Sequence, residues 1–131
     1  MAVETSILIP TLDDASTLGE TIERLNRLVA ATGAAAEVVV VDAGSQDGTL
    51  ELAAELADRF PLLHMRILVQ DRAHAGFGSV VRLGVAYAEG RFIVTDPTTL
   101  TIDVRRGPAV TIRFDGLAPA GPMRLAISPI L

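Results

Sequence analysis

The chain has 131 residues, 50% hydrophobic and 21% charged, enough for one domain with a true core and too short for two. Its net charge of −5 comes with eleven arginines and no lysine, so no basic tract exists to neutralise a run of phosphates, and nucleic acid is not expected as a partner. With no cysteine there is no disulfide framework or thiol chemistry; without a basic, apolar leader or a run of membrane-spanning length, the sequence reads as soluble and cytoplasmic.

Three times over, an apolar β-branched run is followed by a turn and then by a segment of helical periodicity, the rhythm of βαβ units. In the first unit residues 6–9 are the strand and 10–16 the loop. Leu18, Ile22, Leu25 and Val29 then recur on one helical face. Thr17 and Glu20 suit a capping box at the start of that helix, and Gly33 suits its stop. In the second unit Glu37 precedes Val38, Val39, Val40 and Val41, an unbroken apolar run of the kind a parallel strand needs when both faces are covered. Asp42 ends that strand. A turn over 43–48 leads through Asp47, read as a cap, into a helix with Leu52, Ala53, Leu56 and Phe60 on one side, stopped by Pro61.

The third unit has a strand over 65–69, a loop through Gly76 and a helix reaching Gly90; a fourth strand follows at Phe92–Thr95. From Leu100 the pattern changes to alternation. Ile102 and Val104, then Val110, Ile112 and Phe114, flank Arg106, Gly107 and Pro108, which predicts a β-hairpin; a short last strand is expected over 124–127. The fold class expected is α/β: an open, mostly parallel three-layer α/β/α sheet in one domain, 1–131, with a C-terminal β-hairpin extension.

In an open α/β sheet, ligands collect at the carboxyl ends of the strands, where neighbouring loops diverge. Those loops read PTLDDAST, DAGSQDGT, DRAHAGFG and TDPTT. Together with their strands, the segments SILIPTLDDAST, VVVVDAGSQDGT and DRAHAGFGSVVRLGVAYAEGRFIV resemble, in order and spacing, the signature segments of family 2 glycosyltransferases of the GT-A fold over residues 5–95.

The resemblance implies a nucleotide-binding region over 1–96 and a β-rich tail over 97–131. It implies a pocket for a nucleoside-diphosphate sugar, with uridine as the expected nucleoside, built from Pro10, Thr11, Asp14, Asp42, Gly44 and Ser45. Asp14 and Asp42 would hold the base and ribose, since a carboxylate accepts hydrogen bonds from a base N–H or a ribose hydroxyl. Arg72 and Arg82 are the cations expected near the phosphates, because the guanidinium fork donates twice; for Arg82 a solvated helix face weighs equally.

After the fourth strand the family places an Asp-x-Asp motif that binds a divalent metal. Here Thr95, Asp96, Pro97, Thr98 and Thr99 stand there, so Asp96 is the one metal-ligand candidate, for Mg or Mn, beside its reading as a turn residue; no tightly bound cofactor is expected. The family also has a second half carrying the acceptor site and the catalytic base. Asp103 and Asp115 are the only acids after Asp96, and their alternation with apolar neighbours suits the solvent face of a hairpin, so no catalytic residue is assigned.

Other motifs fail. Gly76-x-Gly78 lacks the third glycine of a dinucleotide fingerprint and follows the third strand rather than the first, and DAGSQDG has Gly44 and Gln46 at calcium-ligand positions. Gly44-Ser45 lacks the intervening residue of a nucleophile elbow. His64 and His74 lack metal spacing. Gly44 and Gly48 suit positive φ in a turn. For Asp42 a ligand role is favoured, because an acid closing a four-valine strand is costly to half-bury. Three readings follow: a transferase whose acceptor half comes from a partner, a nucleotide-binding module without catalysis, and a structural module forming a homo-oligomer through its β tail.

Overall fold

Four consecutive valines cannot present a face to water without cost, and the chain covers both sides of them. In the computed structural model, which describes residues 2–70, 77–95 and 101–103, Val38 to Val41 lie wholly buried in β2 (Ala36–Asp42). Beside it runs β1 (Thr5–Thr11), and β3 (Arg66–Val69), β4 (Phe92–Thr95) and β5 (Thr101–Asp103) complete a sheet of order β3-β2-β1-β4-β5. The first four strands are mutually parallel; β5 pairs antiparallel with β4.

Side chains alternate between faces along a strand, and the two halves of the core follow that alternation. Ile7, Ile9, Val38 and Val40 meet the apolar stripes of α1 (Ala15–Thr32) and α2 (Thr49–Arg59), including Ile22 and Leu56. Leu8, Val39 and Val41 point the other way and meet Val80, Val81 and Val85 of α3 (Phe77–Tyr87). The result is the expected three-layer arrangement. Gly84 permits the close approach of α3, since a Cβ there would lie 2.9 Å from both Leu8 Cδ atoms. Among the described residues no helix is long and apolar enough to cross a membrane.

After β3 the chain returns to the far side of β1, so β1 has β2 on one flank and β4 on the other. This change of direction is a topological switch point, where loops at the carboxyl ends leave a crevice. Among the described residues β1 pairs with β4 from Thr5↔Phe92 to Leu8↔Thr95, and with β2 through to Pro10↔Val41 and Thr11↔Asp42. Pro10 and Thr11 therefore belong to the strand and not to the loop.

At the amino end of the sheet a polar network closes the turn after α3. Glu37, buried at the start of β2, accepts hydrogen bonds from Ser6 Oγ and Glu89 N, both 2.7 Å, and from Arg66 Nε and Nη2 at 3.0 and 2.7 Å. Arg66 also donates to the Tyr87 carbonyl, and Gly90 N donates to Ser6 Oγ at 2.9 Å. Gly90 has no room for a side chain: a Cβ would come within 2.7 Å of Ser6 N.

Local expectations shift at three places. The helix after β1 starts at Ala15 with Asp14 as its cap residue, so Thr17 is inside the first turn and forms no capping box with Glu20. Pro61 ends α2 but opens a 3-10 turn (Pro61–Leu63) that buries Leu63 and ends at His64 in the left-handed region, φ 44°. Residues 101–103 join the main sheet through β4. The remainder of the expected hairpin, 104–114, and the strand over 124–127 lie outside the described residues.

Candidate functional site

The carboxyl ends of β1 and β2 lead into the loops 12–14 and 43–48, and these two loops are tied to each other. Asp42 is the centre. Its carboxylate is fully buried, and Oδ1 accepts Thr11 Oγ1–H at 2.7 Å and Ser45 Oγ–H at 2.5 Å. Oδ2 accepts Gly44 N–H at 3.0 Å and Ser45 N–H at 2.7 Å. Burial works to raise this acid's pKa. The donors, led by the Ser45 hydroxyl and amide, more than offset it and hold Asp42 below the usual carboxylate range. Gly44 turns the chain back over the carboxylate with φ 97°, a conformation that favours glycine.

Ser45 passes the connection on, since its Oγ accepts Asp13 N–H at 2.8 Å, and Asp13 Oδ1 accepts Gln46 N–H at 2.7 Å in return. Asp13 holds φ 54°, a strained conformation for a residue with a side chain, though aspartate adopts it more readily than most. Asp14 turns its Oδ2 inward to Leu12 N–H, 2.9 Å away. Beside this corner is a shallow hollow of about 120 Å³, with Pro10, Thr11 and Asp14 on one side and Thr17, Leu18 and Thr21 of α1 on the other. A space of that size fits a ring or a few waters; a whole drug-sized ligand needs roughly 300 Å³ or more.

The structure therefore brings together six of the expected site residues: Pro10, Thr11, Asp14, Asp42, Gly44 and Ser45. Arg82 is separate. It lies exposed on α3, outside the hydrogen-bonded cluster, while its neighbour Val81 faces the sheet. Arg72 and Asp96 lie outside the described residues, as do His74 and Gly76. Among the described residues no three His, Asp or Glu side chains stand close enough to hold a metal ion. All four acceptor positions of Asp42 are taken by the protein itself.

Asp13, Asp47 and Thr49 were not singled out as site residues by sequence. Asp47 accepts from the first amides of both helices, Ala15 N and Thr49 N, each at 3.1 Å. The second of these contacts is the capping expected of it; the first spans 32 residues and has no local signal.

Residues 6–95 match the model of the family described as glycosyl transferase family 2. Among solved structures, the chain resembles residues 1–349 of TarS of S. aureus at 23% identity and a TM-score of 0.58, over 71% of this chain and 26% of that one, which has also been determined with UDP-GlcNAc. It resembles the mannosyltransferase PcManGT of Pyrobaculum calidifontis, solved with GDP-Man and Mn2+, at 19% identity and a TM-score of 0.59, over 72% of this chain and 28% of that one. Mannosyl-3-phosphoglycerate synthase of Rubrobacter xylanophilus matches at 20% identity and a TM-score of 0.55. The chain thus spans under a third of the length of these relatives, and at such identities the likeness establishes the GT-A fold.

Proposed function

The chain belongs to glycosyltransferase family 2, and from that premise we propose that its switch-point crevice binds a nucleoside-diphosphate sugar, with uridine as the nucleoside. The observation that carries this reading is the interlocking of the first two carboxyl-end loops around Asp42, inside the stretch that matches the family. A ligand-binding surface needs groups held still before the ligand arrives, and a buried, fully bonded carboxylate beneath two loops achieves that. Pro10, Thr11 and Asp14 border the hollow that would receive the base; Gly44 and Ser45 are assigned to the ribose. Asp42 acts mainly by fixing Thr11 and Ser45, and it meets the ligand only by exchanging one of its present partners.

The diphosphate is assigned to Arg72 and Arg82, with Asp96 as the metal ligand. One carboxylate can share a Mg or Mn ion with phosphate oxygens and waters, and such an ion would neutralise charge on the leaving diphosphate. Transfer would proceed by attack of an acceptor hydroxyl on the anomeric carbon, with inversion and departure of the nucleoside diphosphate. The acceptor site and the base that takes the hydroxyl proton are assigned to a partner.

A second reading, a nucleotide-binding module without transfer, is favoured by Pro97 and Thr99 standing where the family carries its two metal carboxylates. Calorimetric titration with UDP, with and without Mn2+, followed by a UDP-sugar turnover assay, separates the two. Binding with turnover supports the transferase, binding without turnover supports the module, and no binding of UDP ends both.

A further inference from the structure

Of the helices that start at this end of the sheet, neither α1 nor α2 is capped by its own cap residue. Asp14 precedes α1 and Gly48 precedes α2, with no side-chain cap bond from either. The exposed first amides of a helix carry partial positive charge and need an acceptor. Both find the same one: Asp47 Oδ2 accepts Ala15 N–H and Asp47 Oδ1 accepts Thr49 N–H. The buried Thr49 completes the circuit, donating its hydroxyl hydrogen to Asp47 Oδ1 and accepting Asp14 N–H at 3.1 Å. Asp13 and Ser45 close the same seam a few residues away.

We propose that Asp47 is a positioning residue for the nucleotide pocket, an internal anion that clasps the amino ends of α1 and α2 and so fixes the loops bearing Asp14 and Ser45. Its connections distinguish it from an ordinary helix cap. A cap serves one helix, whereas this carboxylate joins residues 32 apart in sequence, on loops that reach the crevice from different strands. The hydrogen bonds from Thr49 and Ala15 also hold its pKa below the usual carboxylate range, so it remains an anion at neutral pH. Aspartate is required because one short side chain must offer an acceptor to each helix. Asparagine has one acceptor oxygen, and its amide group would face an amide donor on the other side.

The effect on affinity rests on the nucleotide-binding reading; the clasp itself does not. The test uses the full chain and three variants, Asp47→Ala, Asp47→Asn and the core control Leu56→Val, compared well below their unfolding temperatures. Amide exchange is followed by NMR and UDP affinity by calorimetry. In Asp47→Ala the Ala15 and Thr49 amides should exchange about tenfold faster or more, while Val38 to Val41 stay protected, and UDP should bind about tenfold more weakly because the pocket is no longer preorganised. Asp47→Asn should lose protection at one of the two helix starts and fall between. Leu56→Val should lower stability without changing UDP affinity, which a purely structural role for Asp47 would also produce. Unchanged exchange at Ala15 in Asp47→Ala overturns the clasp, and lost protection with UDP affinity within twofold of the parent overturns the positioning role. If the parent chain binds no UDP, the nucleotide reading and the positioning role fail together, and the exchange rates still decide whether the clasp exists.

Discussion

β2 begins with one buried acid and ends with another, and the two are satisfied by different means. Glu37, at the amino end, is paired with the Arg66 guanidinium and takes further hydrogen bonds from Ser6 and from the turn before β4. Asp42, at the carboxyl end, takes its four hydrogen bonds from hydroxyls and amides alone. Glu37 knits secondary-structure elements together with its charge balanced. Asp42 organises loops and keeps its charge beside a crevice. The same residue class at the two ends of one strand thus serves stability at one end and a binding surface at the other, as the direction of a parallel sheet leads one to expect.

Breaking each end in turn tests that division. Glu37→Ala removes the partner of a partly buried ion pair and strands the Glu89 amide and the Ser6 hydroxyl that it satisfied. It should cost about 3 kcal/mol, the low end for a broken buried pair because Arg66 keeps 34% of its side chain exposed. Urea unfolding should show the loss, and UDP affinity measured under native conditions should be unchanged. Asp42→Ala leaves two amides and two hydroxyls without their acceptor and should cost roughly 2 kcal/mol. Unlike the first change, it should also abolish measurable UDP binding; untouched binding would refute the pocket assignment.

Acid sharpens the same contrast. Asp42 has its pKa depressed by folding, so the stability it contributes is complete above the usual carboxylate range and is lost as pH falls through the depressed folded value. The gap in melting temperature between the parent and Asp42→Asn should therefore narrow as pH drops below about 4. A gap that widens on acidification would contradict the bonding described. The smallest effect on stability belongs to Arg82→Ala. On an exposed helix face it should change stability by no more than about 0.5 kcal/mol, yet it should weaken UDP binding if the side chain meets the diphosphate.

Much of this fold is legible in the sequence because its signals are local. The valine run, the α1 stripe of Leu18, Ile22, Leu25 and Val29, and Gly33 in the left-handed region each depend on a few neighbouring residues. What escaped is long-range. Pro10 and Thr11 extend β1 by pairing with Val41 and Asp42 of β2, and the first amide of α1, at Ala15, is accepted by a carboxylate 32 residues away. The site shows the same limit. Asp42 and Ser45 stand out by position, but that Asp42 would spend every acceptor on its own loops could be learned only from the folded arrangement.

The central claim is that the carboxyl end of this sheet binds a nucleoside diphosphate while the amino end only holds the fold together. The most direct measurement is a titration of the isotopically labelled chain with UDP, following backbone amide resonances. The account predicts saturable shifts at Leu12, Asp14, Gly44 and Ser45, with Glu89 and Gly90 unmoved. Shifts confined to the amino end, or no saturable shift at millimolar UDP, would contradict it.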